Sequence, residues 1–523
     1  MNRWRRVSQA GFLFLFLGAI AVAFGDFADL SPLGAFIRLD PLLFLGQALA
    51  LQTLPPGLLQ VGVLVVATLV LGRVFCSHIC PLGTTLDLVA WVSRVRLAQR
   101  FHPPQSWRRG KYVLLLGLLV AAAWGVNLTQ WGAPLSLVTR LYALVLWPFG
   151  QFVASEPILG PLSPEEMVRV EHIGGLLVLF AALVGSAVVV PRFWCRYLCP
   201  AGGLLAVVGR WPVARRVVGA DCTHCGRCAR VCPAGIAEET AVAAGECFLC
   251  GRCGDRCPEG VIAFSATGAQ AQPFWPRRRQ VLWATVGGTA AAFFASAGLW
   301  AYRGQREKGQ PVAERLVRPP GAFPEREFLE MCVRCGACLR ACPTNMLQPQ
   351  WGEQDGRGIF APLAVARRGP CAPRCTACGD VCPTGALRTL SVSEKPWAKM
   401  GTARILPSKC LAWEWDRSCL VCDEACPFGA IDLRQDPEHD VAVPFVRENR
   451  CTGCGACEHA CPVQGQSAIR INPMGAVRLA EGSFKQRGRQ LGLDISREHA
   501  EEKDALSPSS GPDGGGLPPG FSS

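Results

Sequence analysis

Near-uninterrupted apolar runs cover Gly11–Gly25, Leu58–Leu71, Tyr112–Val126, Ile173–Val190 and Val281–Ala301. Each reads as a helix that is apolar all round, a pattern suited to a bilayer rather than to the surface of a soluble domain. Several fall short of the ~20 residues a spanning helix needs, so flanking residues such as Trp4, Phe75 and Phe193 are required to complete them. A further apolar stretch, Leu135–Phe149, is proline-flanked and reads as interfacial rather than spanning. The polar segments between the runs are asymmetric. Segments 1–10, 72–111, 191–218 and 276–280 hold 18 Lys/Arg, whereas loops 25–57 and 127–172 hold three (Arg38, Arg140 and Arg169) against seven acids. The positive-inside rule places the N-terminus on the cytoplasmic face of an inner membrane, and five spans leave everything after Tyr302 outside. No ionisable residue interrupts the five runs, which argues against a proton or ion path through them.

Composition agrees. Of 523 residues, 50% are hydrophobic and only 18% charged, with a mean hydropathy of +0.24. That length allows three to five structural units. The net charge of +13 is mostly the topology signal, and no nucleic-acid partner is expected. No intramembrane histidine pair suits a b-type haem, and no Cys-x-x-Cys-His suits a c-type haem. His78 and His172 sit at membrane edges, where an ordinary interfacial role competes with a quinone contact. Glu165, Glu166 and Glu171 read as a solvated acidic loop on the outer side, with proton uptake from quinol as the alternative.

The 28 cysteines are grouped. The first set is Cys222, Cys225, Cys228 and Cys232-Pro233, and the second repeats its spacing with Cys247, Cys250, Cys253 and Cys257-Pro258. The third, Cys332, Cys335, Cys338 and Cys342-Pro343, does so again. The fourth loosens the first gap (Cys371, Cys375, Cys378, Cys382-Pro383), and the fifth opens it further (Cys410, Cys419, Cys422, Cys426-Pro427). The sixth returns to type with Cys451, Cys454, Cys457 and Cys461-Pro462. Three closely spaced thiolates on a tight loop can cap three irons of a cubane, while the fourth, followed by proline, ligates a neighbouring cluster. Zinc knuckles instead use two separated Cys-x2-Cys pairs. The spacing therefore predicts six [4Fe-4S] clusters.

The remaining cysteines form two Cys-x3-Cys-Pro pairs, Cys76/Cys80 and Cys195/Cys199, at the cytoplasmic ends of the second and fourth runs. At i and i+4 each pair points one way from a helix that the proline then ends. Three readings compete: a further metal centre held by all four, redox-active thiols beside a quinone, or structural thiols at a helix junction.

Residues 277–301 begin Arg-Arg-Arg-Gln-Val-Leu-Trp, so Arg278-Arg279-Gln280-Val281-Leu282 approximates a twin-arginine export signal. A plain positive-inside anchor is the alternative. Export of a folded domain would suit clusters assembled in the cytoplasm. Ala295-Ser296-Ala297 matches an A-x-A cleavage site, with retention as an anchor the favoured outcome. Ser507–Ser523 is rich in Ser, Pro and Gly and reads as a disordered tail.

Residues 222–266 resemble a bacterial two-cluster ferredoxin, including the Cys-Pro-x-Gly-Val-Ile ending at Cys257–Ile262. That resemblance implies that Cys222, Cys225, Cys228 and Cys257 hold one cluster, and Cys247, Cys250, Cys253 and Cys232 the other. Gly-Arg-Val-Phe-Cys-Ser-His-Ile-Cys-Pro (72–81) and Arg-Phe-Trp-Cys-Arg-Tyr-Leu-Cys-Pro (192–200) resemble the NapH/MauN ferredoxin-type membrane proteins. Residues 317–475, with Arg-Pro-Pro-Gly-Ala-Phe-Pro-Glu-Arg-Glu-Phe-Leu before the third set, resemble the NapG/MauM four-cluster ferredoxins. In four-cluster subunits of that general kind the outer motifs pair together and enclose the inner pair, which implies the fourth and fifth sets nested inside the third and sixth.

The chain thus reads as a multidomain fusion: an α-helical membrane domain plus small α+β, bacterial-ferredoxin-like [4Fe-4S] modules. Its parts are a four-helix membrane domain (1–219), a cytoplasmic two-cluster ferredoxin (220–266), a fifth helix or signal anchor (277–302), a periplasmic four-cluster ferredoxin (303–480) and a disordered tail (481–523). The resemblance implies electron transfer from the quinone pool to a periplasmic reductase or multihaem cytochrome. Its rivals are a maturation factor that reduces a partner's metal or thiols, and electron entry from a periplasmic donor to quinone.

Overall fold

A computed structural model describes residues 2–24, 32–93, 103–149, 173–210, 215–235, 245–265, 276–296, 316–351 and 356–495. His172, the acids Glu165, Glu166 and Glu171, Ala297 and the tail beyond 495 lie outside the described residues. The chain divides into two compact units: Met1–Ala364 with Thr376–Ser391 and Arg478–Ala480, and Val365–Cys375 with Val392–Val477 and Glu481–Ser523. Residues 316–351, the first described part of the expected outer ferredoxin region, fall in the first unit.

The first unit is built on α1 (Asn2–Ala23), α2 (Pro41–Leu51), α3 (Leu58–Leu71), α4 (Pro81–Ser93), α5 (Gly110–Ala123), α6 (Pro134–Leu141), α7 (Ile173–Val189), α8 (Pro200–Val208) and α9 (Arg278–Ser296). Among the described residues each of the five apolar runs is mostly helix. Among the described residues, Trp4–Ala23 is the one helix long and apolar enough to cross a bilayer by itself. A signal sequence near an N-terminus has the same character. Helices α3 and α5 have 14 residues each, about 21 Å of rise.

Local chemistry sets the ends and contacts of these helices. Asp40 caps α2, its carboxylate accepting from the Leu42 amide at 3.0 Å, with Pro41 at the first helical position. Helices α5 and α9 meet at Gly117 and Gly288, where a β-carbon on Gly288 would stand 2.4 Å from the Gly117 carbonyl oxygen. Small residues at that crossing let the two backbones touch. Helix α6 corrects the interfacial reading of Leu135–Phe149 over its first half, while Leu146 and Phe149 farther along are exposed. Every residue from Pro134 to Leu141 is buried, so this segment is a core helix with no face left for a membrane surface.

The ferredoxin-like parts are short helices joined to two-stranded antiparallel sheets. In the first unit β1 (Arg215–Val218) pairs with β2 (Ile262–Ser265), and β3 (Leu347–Pro349) with β4 (Pro362–Ala364). The second unit pairs β5 (Thr402–Ile405) with β8 (Ile469–Asn472), and β6 (Ile431–Gln435) with β7 (Ala442–Val446). The disordered tail expected from residue 481 instead begins with a helix, Phe484–Gln490. Ser483 caps it through the Gln486 amide, and Phe484 is fully buried, which anchors a segment too polar to announce itself.

Candidate metal centres

The repeated spacing produces a repeated backbone. In the first three sets the second residue after the leading cysteine (His224, Leu249, Arg334) is left-handed, with φ of 51°, 47° and 52°. Gly453 takes that place in the sixth set at 74°. The glycine after the second cysteine (Gly226, Gly251, Gly336, Gly455) is also left-handed, at 68–81°. Two such residues in quick succession curl the loop so that its thiols face one centre. Each Cys-Pro-x-Gly ends in the same conformation at Gly235, Gly260, Gly385 and Gly429, and Asn345 replaces glycine in the third set. The fourth set lacks a left-handed residue between Cys371 and Cys378, and in the fifth Asp416, at 46°, takes that conformation inside the widened gap between Cys410 and Cys419.

Four cavities of similar size, with 390, 380, 390 and 310 Å³ of empty space, lie where these loops close. One is lined by Cys222, Cys225, Cys228 and Cys257. A second is lined by Cys332, Cys335, Cys338 and Cys382, a third by Cys410, Cys419, Cys422 and Cys461, and a fourth by Cys426, Cys451, Cys454 and Cys457. Cys232, Cys247, Cys250 and Cys253 lie within mutual electrostatic reach around Phe248. Cys342 and Cys378 belong to the first unit, Cys371 and Cys375 to the second. The inner ferredoxin grouping is the one its resemblance implies. The nested outer pairing is not found: the third set shares its cavity with Cys382 of the fourth, and the fifth and sixth exchange Cys426 and Cys461. Neighbouring sets pair because the Cys-Pro of the second, fourth and sixth sets returns to the loop before it, and that of the first and fifth goes on to the loop after it.

These cradles fit a four-thiolate cluster. Backbone amides already point at sulfur: Leu249 to Cys247 and Leu387 to Cys382 at 3.4 Å, Ala430 to Cys426 and Ala403 to Cys451 at 3.3 Å. Such donors stabilise thiolate charge and tune cluster potential. Among the described residues no three His, Cys, Asp or Glu side chains converge closely enough to share one metal ion. Thiolates around a cubane stand farther apart than that, with the cluster between them.

The edge pairs occupy two matching turns. Phe75–Ile79 and Trp194–Leu198 are single π-helical turns, closed by the Cys80 and Cys199 amides bonding the Phe75 and Trp194 carbonyls at 2.9 and 2.8 Å. The proline does not merely end a helix. It starts the next one, and the Cys199 sulfur caps α8 by accepting from the Gly202 amide at 3.3 Å. Cys80 and Cys199 are buried, with Cys76 and Cys195 packed against the same core.

Two docking contacts went unread in the sequence. Glu246, buried beside Cys247, receives Arg73 at 2.9 Å, Lys111 at 2.5 Å and the Tyr112 hydroxyl. Burial raises its carboxyl, yet the Lys111 and Arg73 charges and the hydrogen bonds overcome this and hold it below the ordinary value. At the other end of α5, Glu330 accepts from the Asn127 amide at 2.7 Å, next to the third set. Arg140, fully buried, donates to the Val333 and Arg334 carbonyls and lies 4.7 Å over Trp131. The signals were there: Arg140 is the one cation in the stretch Leu135–Phe149, and Glu246 directly precedes a cysteine set.

Residues 331–386 and 417–464 each match a 4Fe-4S dicluster domain, a division that agrees with the neighbouring-set pairing. Residues 53–98 and 172–218 match one 4Fe-4S binding domain, and 222–236 match another. The methylamine utilization ferredoxin-type protein MauM of Methylorubrum extorquens is 39% identical over 212 residues, covering 39% of this chain and 92% of that protein. The chain belongs to the MauM/NapG family of ferredoxin-type proteins. The ferredoxin-type protein NapG of Escherichia coli is 36% identical over 210 residues, 38% of this chain and 84% of its own. The ferredoxin-type protein NapH of Haemophilus influenzae is 29% identical over 240 residues, 44% of this chain and 74% of its own. No solved structure matches. The MauM/NapG relationship and the 4Fe-4S domains make this a ferredoxin-type electron-transfer protein.

Proposed function

We propose that the chain fuses a NapH-like membrane part to a MauM/NapG-like part and conducts electrons from the quinol pool, through six [4Fe-4S] clusters, to a periplasmic reductase system. The observation that carries this reading is the placement of ferredoxin elements at both ends of α5. Lys111 at its start holds Glu246 of the inner module, and Asn127 just past its end holds Glu330 of the outer region. Bound clusters would supply one-electron storage; the protein's residues hold them, exclude water and fix their spacing.

Membrane placement is supported by the outward faces of the helices. Phe14, Leu15, Leu59, Val63, Val66, Val178, Leu282 and Phe293 are all exposed, spread over α1, α3, α7 and α9. An apolar surface that extensive fits lipid contact. Buried polar groups such as Arg5, Arg73, Arg140 and Arg192 lie inside instead. The relatives' names, a methylamine utilization ferredoxin-type protein for MauM and ferredoxin-type proteins for NapG and NapH, support electron transfer to a redox partner.

The test uses the full chain, purified anaerobically in detergent and mixed with a reduced menaquinone analogue. Reduced-cluster electron paramagnetic resonance signals arising faster than in a free ferredoxin control are expected. Silence with quinol, alongside full reduction by dithionite, would overturn the quinol reading.

A further inference from the structure

We propose that Cys76, Cys80, Cys195 and Cys199 together hold one additional iron–sulfur cluster, shared between two repeats of the helical core and lying between the inner and outer ferredoxin elements. Its existence does not depend on the conduit reading, although it would give that conduit continuity.

The two segments are repeats of one device. Arg73-x2-Cys76-x3-Cys80-Pro81-x-Gly83 and Arg192-x2-Cys195-x3-Cys199-Pro200-x-Gly202 share the spacing, the π-helical turn and the following helix. Each matched 4Fe-4S binding domain contains one pair, and two thiols are too few to hold a cluster with four thiolate ligands. The geometry supplies the other two. The four thiols lie within electrostatic reach of one another and pack in one core.

The arginines cross over. Arg192 donates to the Cys76 carbonyl at 3.0 Å and to the Gly83 carbonyl at 3.5 Å, both in the other repeat. Arg73 reaches Gly202 of the opposite repeat, where a β-carbon would meet its Nη2 at 2.6 Å, and that same nitrogen stands 4.0 Å from the Cys76 sulfur. Any side chain at Gly202 would push the guanidinium away, so glycine is the residue this approach requires.

Charge gives an independent argument. On one side buried Arg73 and Lys111 face the single carboxylate of Glu246. On the other, buried Arg5 and Arg192 share Asp87, with Arg252 at 4.0 Å adding a further cation. Each side thus keeps an excess positive charge in the interior, a costly arrangement unless an anion offsets it. Four neutral thiols do not. Four thiolates around an oxidised [2Fe-2S] or [4Fe-4S] core form a doubly negative centre, which offsets one of the excess charges on each side.

The position is also telling. Cys76 packs with Phe248, Cys232, Cys247 and Cys250, so the inner ferredoxin's second site is its direct neighbour. The Arg73 and Arg192 guanidinia lie 4.7 and 5.3 Å over the Phe248 ring. In the other direction, Pro200 beside Cys199 presses on Gly132, a β-carbon there standing 2.4 Å from its ring. The adjoining Trp131 stacks beneath Arg140, which bonds the third set's backbone.

The full chain is isolated anaerobically, and iron per chain and low-temperature paramagnetic spectra are measured. Cys80→Ala combined with Cys199→Ala is expected to remove about two irons for a [2Fe-2S] core or about four for a [4Fe-4S] core, with one signal lost and the others kept. Cys76→Ser retains an oxygen ligand and is expected to shift one signal with iron unchanged. Should the double variant lose every signal through misfolding, the Cys76→Ser spectrum decides. Unchanged iron and spectra in a folded double variant, an unshifted spectrum in Cys76→Ser, stoichiometric zinc in the parent, or alkylation of Cys80 and Cys199 as isolated would each overturn the proposal. None of these readouts uses quinol, so failure here and failure of quinol oxidation remain distinguishable.

Discussion

The first and third cysteine sets have the same spacing and the same left-handed loop residues, yet their surroundings differ. Cys225 of the first set is exposed, whereas Cys335 of the third is only 6% exposed and belongs to the helical core. The inner module turns its second set inward: Arg196 takes the Cys232 and Pro233 carbonyls, and Ser77 the Phe248 carbonyl. The outer region turns its third set inward, with Gln47 on Met331, Ser136 on Val333 and Arg140 on Arg334. Spacing therefore governs how thiols converge, while docking residues decide which cavity faces the helical core and which is left exposed. The two docks also differ in kind, one ionic and one built mainly from carbonyl acceptors.

The largest effect is expected from breaking the ionic dock. Glu246→Ala leaves Arg73 and Lys111 buried without their carboxylate, a loss on the order of 3–5 kcal/mol. Hydrogen exchange should then rise across residues 245–265 while the third set keeps its protection. Equal loosening of both regions would show that the docks are not independent.

Arg140→Ala is the corresponding change at the other dock. It strands the Gln130, Val333 and Arg334 carbonyls in a dry interior, and we expect a loss of about 2–3 kcal/mol in thermal unfolding. The paramagnetic signal assigned to the third set should shift, because the charge beside Cys335 and Cys332 is gone, and the first-set signal should stay. A shift in the first-set signal instead would reverse the assignment of which site lies near Arg140.

How much of this was legible depends on distance along the chain. Cysteine spacing is local, so the convergence of Cys222, Cys225 and Cys228 followed from sequence. The inner pairing with Cys257 followed from resemblance. The outer pairing was misjudged because nothing local to Cys382 or Cys461 says which loop its proline will send it to. The docks were hidden for a similar reason: Glu246 meets Lys111 across 135 positions, and Asn127 meets Glu330 across 203. Helix α6 was misread because apolarity with flanking prolines does not distinguish a buried helix from an interfacial one. The Phe484 helix was missed because one buried aromatic anchors an otherwise polar segment.

The smallest effect, and the sharpest on the contrast between docks, is their opposite response to acid. At the inner dock burial pushes the Asp87 carboxyl up, but Arg192, Arg5 and Arg252 overcome it and hold it at about 2. A depressed carboxyl contributes stability that is fully present above its unfolded value and is lost as pH falls from about 4 through about 2. Glu246 carries the same sign. At the outer dock burial dominates: Glu330 is raised, and Asp40, which caps the helix bearing Gln47, is raised to about 6. A raised carboxyl binds its proton more tightly when folded, so stability rises as pH falls through about 6, by about 1 kcal/mol from Asp40 between about pH 7 and 5. Exchange protection measured from neutral pH down to about 5 should therefore increase around α2 and the third set while residues 245–265 stay constant, and the inner region should loosen only below about 4. Asp40→Asn should abolish most of the gain near pH 6 and leave the acid loosening in place, since Asp87 is untouched; a parallel loss at both docks would assign the pH response to net charge rather than to these carboxylates.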